Sequence, residues 1–310
     1  MITNYEIVDR VLEALDKATE MAVLHCEAAV ASHSLTSDVD LCVADDPVTL
    51  MSRVAYDMRS HGMYLVMIFP YDRCSAAFFF CDADGKTGAQ IDLVCDPRGV
   101  NKYGVRTEAL LARRCSGVRW PRIDPLDEAL YTLRKRQVKR DRRRFDEARA
   151  EVAALGAEFA RERTRDIFSS RARAGITGAL DDRRPRLART NGVWRSRLRR
   201  PGRLRHRCGF WAHVSSASGQ NLSSVAHRFD RFLISAEAVE EPTVLRVLSN
   251  AWRPRLLLSP RRTGRWPAPD AHLVIAPLES EDSFARGLVL AMHERVLARL
   301  SNRDAIGIAT

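Results

Sequence analysis

Five apolar runs of strand length follow one another within the first hundred residues: Ala22-Val23-Leu24-His25, Val39-Asp40-Leu41-Cys42-Val43, Tyr64 to Phe69, Ala76 to Cys81, and Ile91-Asp92-Leu93-Val94. They are rich in the β-branched and aromatic residues that suit a pleated, half-buried surface. A chain built this way has to fold around a sheet, and the spacers say which kind. Pro47 to His61 sets Val48, Leu50, Met51, Val54 and Met58 at helical intervals. Asp84-Gly85, between the fourth and fifth runs, is a hairpin signal. Residues 5–18 add a helix with Ile7, Val11, Leu12 and Leu15 on one face. Strands joined partly by helices and partly by hairpins give a mixed sheet. The expectation is an α/β (α+β) fold over roughly residues 1–100.

The second run carries the chemistry. In Ser37-Asp38-Val39-Asp40-Leu41 the two acids sit two residues apart, so on a strand they point to the same face. Two carboxylates there repel each other unless a cation lies between them, and a hard divalent ion with oxygen ligands is the natural partner. Asp92 stands inside the apolar run Gln90-Ile91-Asp92-Leu93-Val94. A buried charge is costly without a partner. If the two strands are neighbours, Asp92 completes a three-carboxylate metal site. A solvated strand edge is the competing reading of a D-x-D pair.

Beyond the strands, Asp124-Pro125 with Asp127 and Glu128 has the features of a helix start. Leu126, Leu130 and Leu133 form its apolar stripe. It then turns basic through Arg134-Lys135-Arg136 and Lys139-Arg140, and the pattern extends to about Ala160. Arg134 to Arg207 holds 25 Lys and Arg against 9 Asp and Glu, a local charge of +16 in a chain of net +11, so the remainder is net negative. A polyanion such as nucleic acid would suit this segment. So would a solvated helix and linker, and the shortage of aromatics on which bases could stack favours the latter.

The order of these motifs resembles the nucleotidyltransferase-fold proteins related to polymerase β, and more closely a bacterial subgroup often fused to a thymidylate-kinase-like region. That subgroup has a strand V-L-[HR]-G, then S-D-[IV]-D, then h-D-L, then P-x-x-E-A-x-Y-x-L-x-K-R-x-x-K-R-D. This chain reads Val23-Leu24-His25-Cys26, then Ser37-Asp38-Val39-Asp40, then Ile91-Asp92-Leu93. It continues Pro125-Leu126-Asp127-Glu128-Ala129-Leu130-Tyr131-Thr132-Leu133-Arg134-Lys135-Arg136-Gln137-Val138-Lys139-Arg140-Asp141. The agreement covers roughly residues 20–145. The resemblance implies a Mg²⁺-dependent enzyme, with two ions, that moves a nucleotidyl group from an NTP to an acceptor. Asp38, Asp40 and Asp92 would be its metal-binding and catalytic acids. Lys135 and Lys139, one helical turn apart, would reach phosphates, unless they belong to a solvated basic face. The family glycine is replaced by Cys26, whose Cβ crowds the approach to phosphate, and a Ser34 or Ser37 hydroxyl is the candidate substitute. His25 beside it reads as structural.

The remaining chain divides by composition. Residues 1–165 form the nucleotidyltransferase-like unit, 166–207 an Arg-rich linker with Pro185 and Pro201, and 208–310 a second small α/β unit. In that unit Phe210 to Val214 and His272 to Ile275 read as strands, and Leu222 to Ile234 and Phe284 to Leu300 as helices. Ser216-Ala217-Ser218-Gly219-Gln220-Asn221-Leu222-Ser223-Ser224 resembles a phosphate-binding loop with Leu222 in place of the lysine. This implies a degenerate kinase-like region without phosphoryl transfer. Buried reduced cysteines and the lack of a leader-like N-terminus fit a cytoplasmic protein outside the membrane. Three functions remain open: the transferase, a catalytically impaired nucleotide-binding or scaffold protein, and a nucleic-acid binder using the Arg-rich segment.

Overall fold

The structure is a computed structural model. It describes residues 2–34, 38–71, 74–181, 209–214, 234–236, 255–259, 272–275 and 281–301. Helix α1 (Asn4–Ala18) opens with a capping box between Thr3 and Glu6, then β1 (Met21–Val23) and the short α2 (Glu27–Ala31) follow. Next come β2 (Val39–Val43), α3 (Pro47–Ser60), β3 (Met63–Pro70), β4 (Ser75–Asp82) and β5 (Gly88–Val94). The five strands form one mixed sheet in the order β1-β2-β5-β4-β3. Only β2 and β5 run parallel; the other neighbours are antiparallel. The β4–β5 hairpin turns at Gly85, whose φ of 69° lies where a side chain is disfavoured.

Side-chain alternation sorts the strands between two cores. Met21, Val23, Val39, Leu41, Val43, Ile91 and Leu93 face one cluster, with α1 and α3 packed over it. Ala22, Leu24, Cys42 and Val94 face the other. That second face is covered by α4 (Thr107–Leu111), α5 (Pro125–Lys139), α6 (Arg142–Ile167) and α7 (Ser170–Leu180). Asp40 and Asp92 share the parity of Cys42 and Val94, so they look toward α5.

The expected basic helix running to about Ala160 is corrected. Helix α5 stops at Lys139, Arg140 takes a left-handed conformation (φ 58°), and Asp141 caps α6 by accepting from the Arg144 amide. The apolar stripes explain the break. Leu126, Leu130 and Leu133 are buried in the second core, and so are Phe145, Ala148 and Val152. One straight helix could not bring both stripes to that core, so the chain folds back. Gly156 (φ 149°, ψ 71°) kinks α6 further on. Part of the linker expected over 166–207 is helical instead. Residues 170–180 form α7 and bury Ala172, Ile176 and Ala179, while 182–207 lie outside the described residues.

Four strands form a second, all-parallel sheet: β6 (Gly209–Val214), β7 (Ile234–Ala236), β8 (Arg255–Ser259) and β9 (His272–Ile275), in the order β7-β8-β6-β9. The strands expected at 210–214 and 272–275 are among them. The helix expected at 222–234 and the loop at 216–224 fall outside the described residues, except that Ile234 opens β7. The last helix, α8 (Glu281–Ser301), does not stay with the second sheet alone. Ala285, Val289, Met292 and Val296 join the first core. There the buried His293 takes up Leu65 O through Nδ1, at 3.1 Å. Among the described residues no helix is long and apolar enough to cross a membrane.

Candidate active site

The parallel pairing of β2 with β5 sets Asp40 directly opposite Asp92. Asp38 precedes Asp40 by one strand repeat. One carboxylate oxygen from each of the three lies within 4.8 Å of the others. Hydrophobic neighbours on the opposite face, Val39, Leu41, Ile91 and Leu93, hold both strands in place, which keeps the acids converged.

Asp40 is 9% exposed and is not left bare. Lys135 Nζ donates to its Oδ2, and His25 Nε2 lies 2.6 Å from the same oxygen. Nζ and Nε2 are themselves 2.7 Å apart, so the ammonium, the imidazole and Asp40 Oδ2 form one closed cluster. Burial alone would raise the pKa of Asp40. The His25 hydrogen bond and the Lys135 charge outweigh it and hold the carboxyl well below its usual range. Burial likewise disfavours charge on His25, but bonds to Asp40 and Cys26 win and raise its pKa to about 9. His25, read as structural, therefore belongs to this cluster.

Asp92 has a different environment. Tyr71 Oη donates to its Oδ2 at 2.9 Å, and Gln90 Nε2 donates to its Oδ1 at 2.7 Å. Neither partner is a cation. Burial, then the charges of Asp40 and Asp38, push its pKa up to about 7. Three carboxylates with their cations concentrated on one of them are short of positive charge. Hard oxygen donors with that deficit fit a Mg²⁺-type ion, and the ammonium of Lys135 already stands where their field draws a cation.

The other expected site residues fare differently. Ser37 lies outside the described residues. Lys135 is 7% exposed and bound to Asp40, so it is not part of a solvated face. Lys139 is exposed one turn on. Its pKa is lowered by the partial burial of its stem and then by the Lys135 charge, while Asp40 and Asp38 pull the other way. Cys26 adopts φ 60°, ψ 33°, the left-handed region that glycine fills at no cost. Its amide donates to Glu128 Oε1 at 2.9 Å, while Glu128 Oε2 pairs with Arg122 at 3.0 Å. The amide that the resemblance turns toward phosphate is thus held by a carboxylate. A hydrogen bond from His25 lowers the Cys26 pKa.

A cleft opens beside the acids. Asp40, Asp92, Tyr71, Tyr103, Tyr131 and Lys102 line it. The Lys102 ammonium stands 4.2 Å from the Tyr71 ring centre and 4.8 Å from that of Tyr103. Sequence reasoning missed Gln90, although its place two residues before Asp92 puts both on one face. It also missed Tyr71, whose approach depends on the β3–β4 connection and leaves no local signal.

No family model matches the chain, and no curated protein does.

Proposed function

We propose that the chain is a Mg²⁺-dependent nucleotidyltransferase that moves a nucleotidyl group from an NTP to an acceptor, on a fold of the polymerase-β-like kind. The observation that carries this reading is the register pairing of Asp40 with Asp92, with Asp38 on the same face. In it, Asp38, Asp40 and Asp92 would hold the divalent ions, which would neutralise the triphosphate and align the attacking and leaving oxygens. Lys135 keeps Asp40 ionised and oriented. Gln90 and Tyr71 fix the rotamer of Asp92. Lys139 and Lys102 supply positive charge around the cleft for phosphate groups. The protein would work as a soluble cytoplasmic enzyme.

The test is thermal unfolding with each NTP, with and without Mg²⁺, on wild type and Asp40→Asn. A ligand that binds the folded state alone raises its stability as its concentration exceeds the dissociation constant. The expected result is a Mg²⁺-dependent rise that vanishes in Asp40→Asn. No shift with any NTP would end the proposal.

One observation favours a second reading, a nucleotide-binding protein without transfer: Glu128 holds the Cys26 amide. It predicts the same Mg²⁺-dependent shift with no pyrophosphate released. A nucleic-acid role for the Arg-rich segment would instead show as binding that weakens steeply with salt and ignores Asp40→Asn.

A further inference from the structure

Tyr71 closes the β3–β4 connection, its amide donating to Ser75 O at 2.9 Å. This bond to β4 holds Tyr71 where its phenol meets the third acid of the cluster. Its Oη donates to Asp92 Oδ2 at 2.9 Å and receives from Gln90 Nε2 at 3.2 Å. The ring is half-buried and lines the same cleft as Asp40 and Asp92. On the transferase reading, the acceptor oxygen must lie against Asp92, within hydrogen-bond reach and in position to lose its proton. A hydroxyl of the chain itself already has that relation to Asp92.

We propose that Tyr71 is a self-modification site, the phenol that takes a nucleotidyl group from an NTP bound on the acid cluster. The proposal rests on the transferase reading above. The step is a displacement at the α-phosphorus. A bond forms from Tyr71 Oη to that phosphorus, and the bond from the phosphorus to the oxygen bridging to the β-phosphate breaks. Pyrophosphate leaves with that electron pair. The phenolic proton passes to Asp92 Oδ2, the acceptor of its present hydrogen bond, and from there to solvent. The products are a tyrosyl phosphodiester and pyrophosphate, with no change of oxidation state. Lys102 stands over the ring, a positive charge on the face of the cleft that the triphosphate would enter.

The experiment incubates the full chain with ATP, GTP, CTP or UTP and Mg²⁺, followed by intact mass spectrometry and peptide mapping. The expected result is a gain of one nucleoside monophosphate per chain with at least one of them, mapped to Tyr71, with one pyrophosphate released per label. The label should be absent from Tyr71→Phe and from Asp38→Asn and Asp40→Asn. It should persist in Tyr56→Phe, because Tyr56, at 57% exposure, is far more accessible but belongs to α3. A cooperative thermal melt of Tyr71→Phe without nucleotide shows that it folds, so a lost label is read at the phenol itself. A shift without any mass gain would overturn the self-modification and leave the transferase reading standing. So would a label on another residue, or one that survives Tyr71→Phe. No shift and no label would overturn both.

Discussion

Replacing Lys135 by Met isolates the charge balance on which the site depends. Met keeps most of the aliphatic stem and removes the ammonium. Lys135 is 7% and Asp40 9% exposed, so the pair is one that water screens poorly. At an effective dielectric of about 20, unit charges about 4 Å apart attract by about 4 kcal/mol. Removing one partner of a buried pair costs about 3–5 kcal/mol because the other charge stays behind. His25 remains on Asp40 Oδ2, so the lower end applies, about 3 kcal/mol. For a unit of this size each kcal/mol moves Tm by about 2–4 °C, which gives a fall of about 6–12 °C without divalent ions. Mg²⁺ should then behave in an informative way. With the ammonium gone, the three acids attract a divalent cation more strongly, so Lys135→Met should gain more Tm from Mg²⁺ than wild type does. A double-mutant cycle with Asp40→Asn should show a coupling above about 1 kcal/mol. Calorimetry or dye-based melting across a Mg²⁺ series reads all of this. A Lys135→Met protein that melts within about 3 °C of wild type, or responds to Mg²⁺ no more than it, would refute the argument.

At neutral pH, iodoacetamide should label Cys26 before Cys95, Cys42 or Cys81. The first is exposed with a pKa lowered by its His25 hydrogen bond, whereas burial pushes Cys95 to about 11, Cys42 to about 12 and Cys81 well above the usual thiol range. Quantitative mass spectrometry of the peptides checks the order. The buried His293 has its pKa lowered by burial, so below pH about 6.5 the unfolded chain takes up a proton that the folded chain refuses. Its contribution to stability is complete above that pH and falls as pH drops toward the folded pKa. In urea unfolding, His293→Gln should flatten the loss of stability between pH 7 and 5.5, and an unchanged slope would show that the helix α8 contact does not titrate.

Much of the fold can be read along the chain because it rests on local periodicity. Val39, Leu41 and Val43 alternate with Asp40 and Cys42, and that alternation alone predicts which side chains share a face. The cap at Asp124 stands where its side chain can meet the first free amides. Asp38, Asp40 and Asp92 are legible for the same reason: charges in apolar strands need a cause. The break at Arg140 is not, because Arg134 to Arg149 is helix-forming throughout and only the positions of two buried stripes in space demand the turn. Nor is the destination of α8. Its apolar residues say that it is buried, not that it crosses back to β3. Tyr71 and Glu128 reach the site through tertiary contacts spanning 21 and 102 residues, a separation at which no spacing rule operates.

Glu128 also separates the two nucleotide-binding readings. Its carboxylate occupies both the Cys26 amide, at 2.9 Å, and the Arg122 guanidinium, at 3.0 Å. Both donors are of the kind that phosphate oxygens use, a backbone N–H at a helix start and an arginine. If triphosphate has to compete with this carboxylate, Glu128→Ala frees two donors and removes a negative charge. The Mg²⁺-dependent NTP shift should then grow, by about the 1.5–3 kcal/mol that one charge-assisted hydrogen bond is worth, or roughly 10- to 150-fold in affinity. If Glu128 instead holds the loop open for phosphate at other positions, its loss loosens Cys26 from its left-handed conformation, and the NTP shift shrinks. Comparing melting shifts of wild type and Glu128→Ala at matched Mg²⁺ decides between them. A tighter-binding variant that still releases no pyrophosphate would place the block to transfer beyond the Cys26 loop.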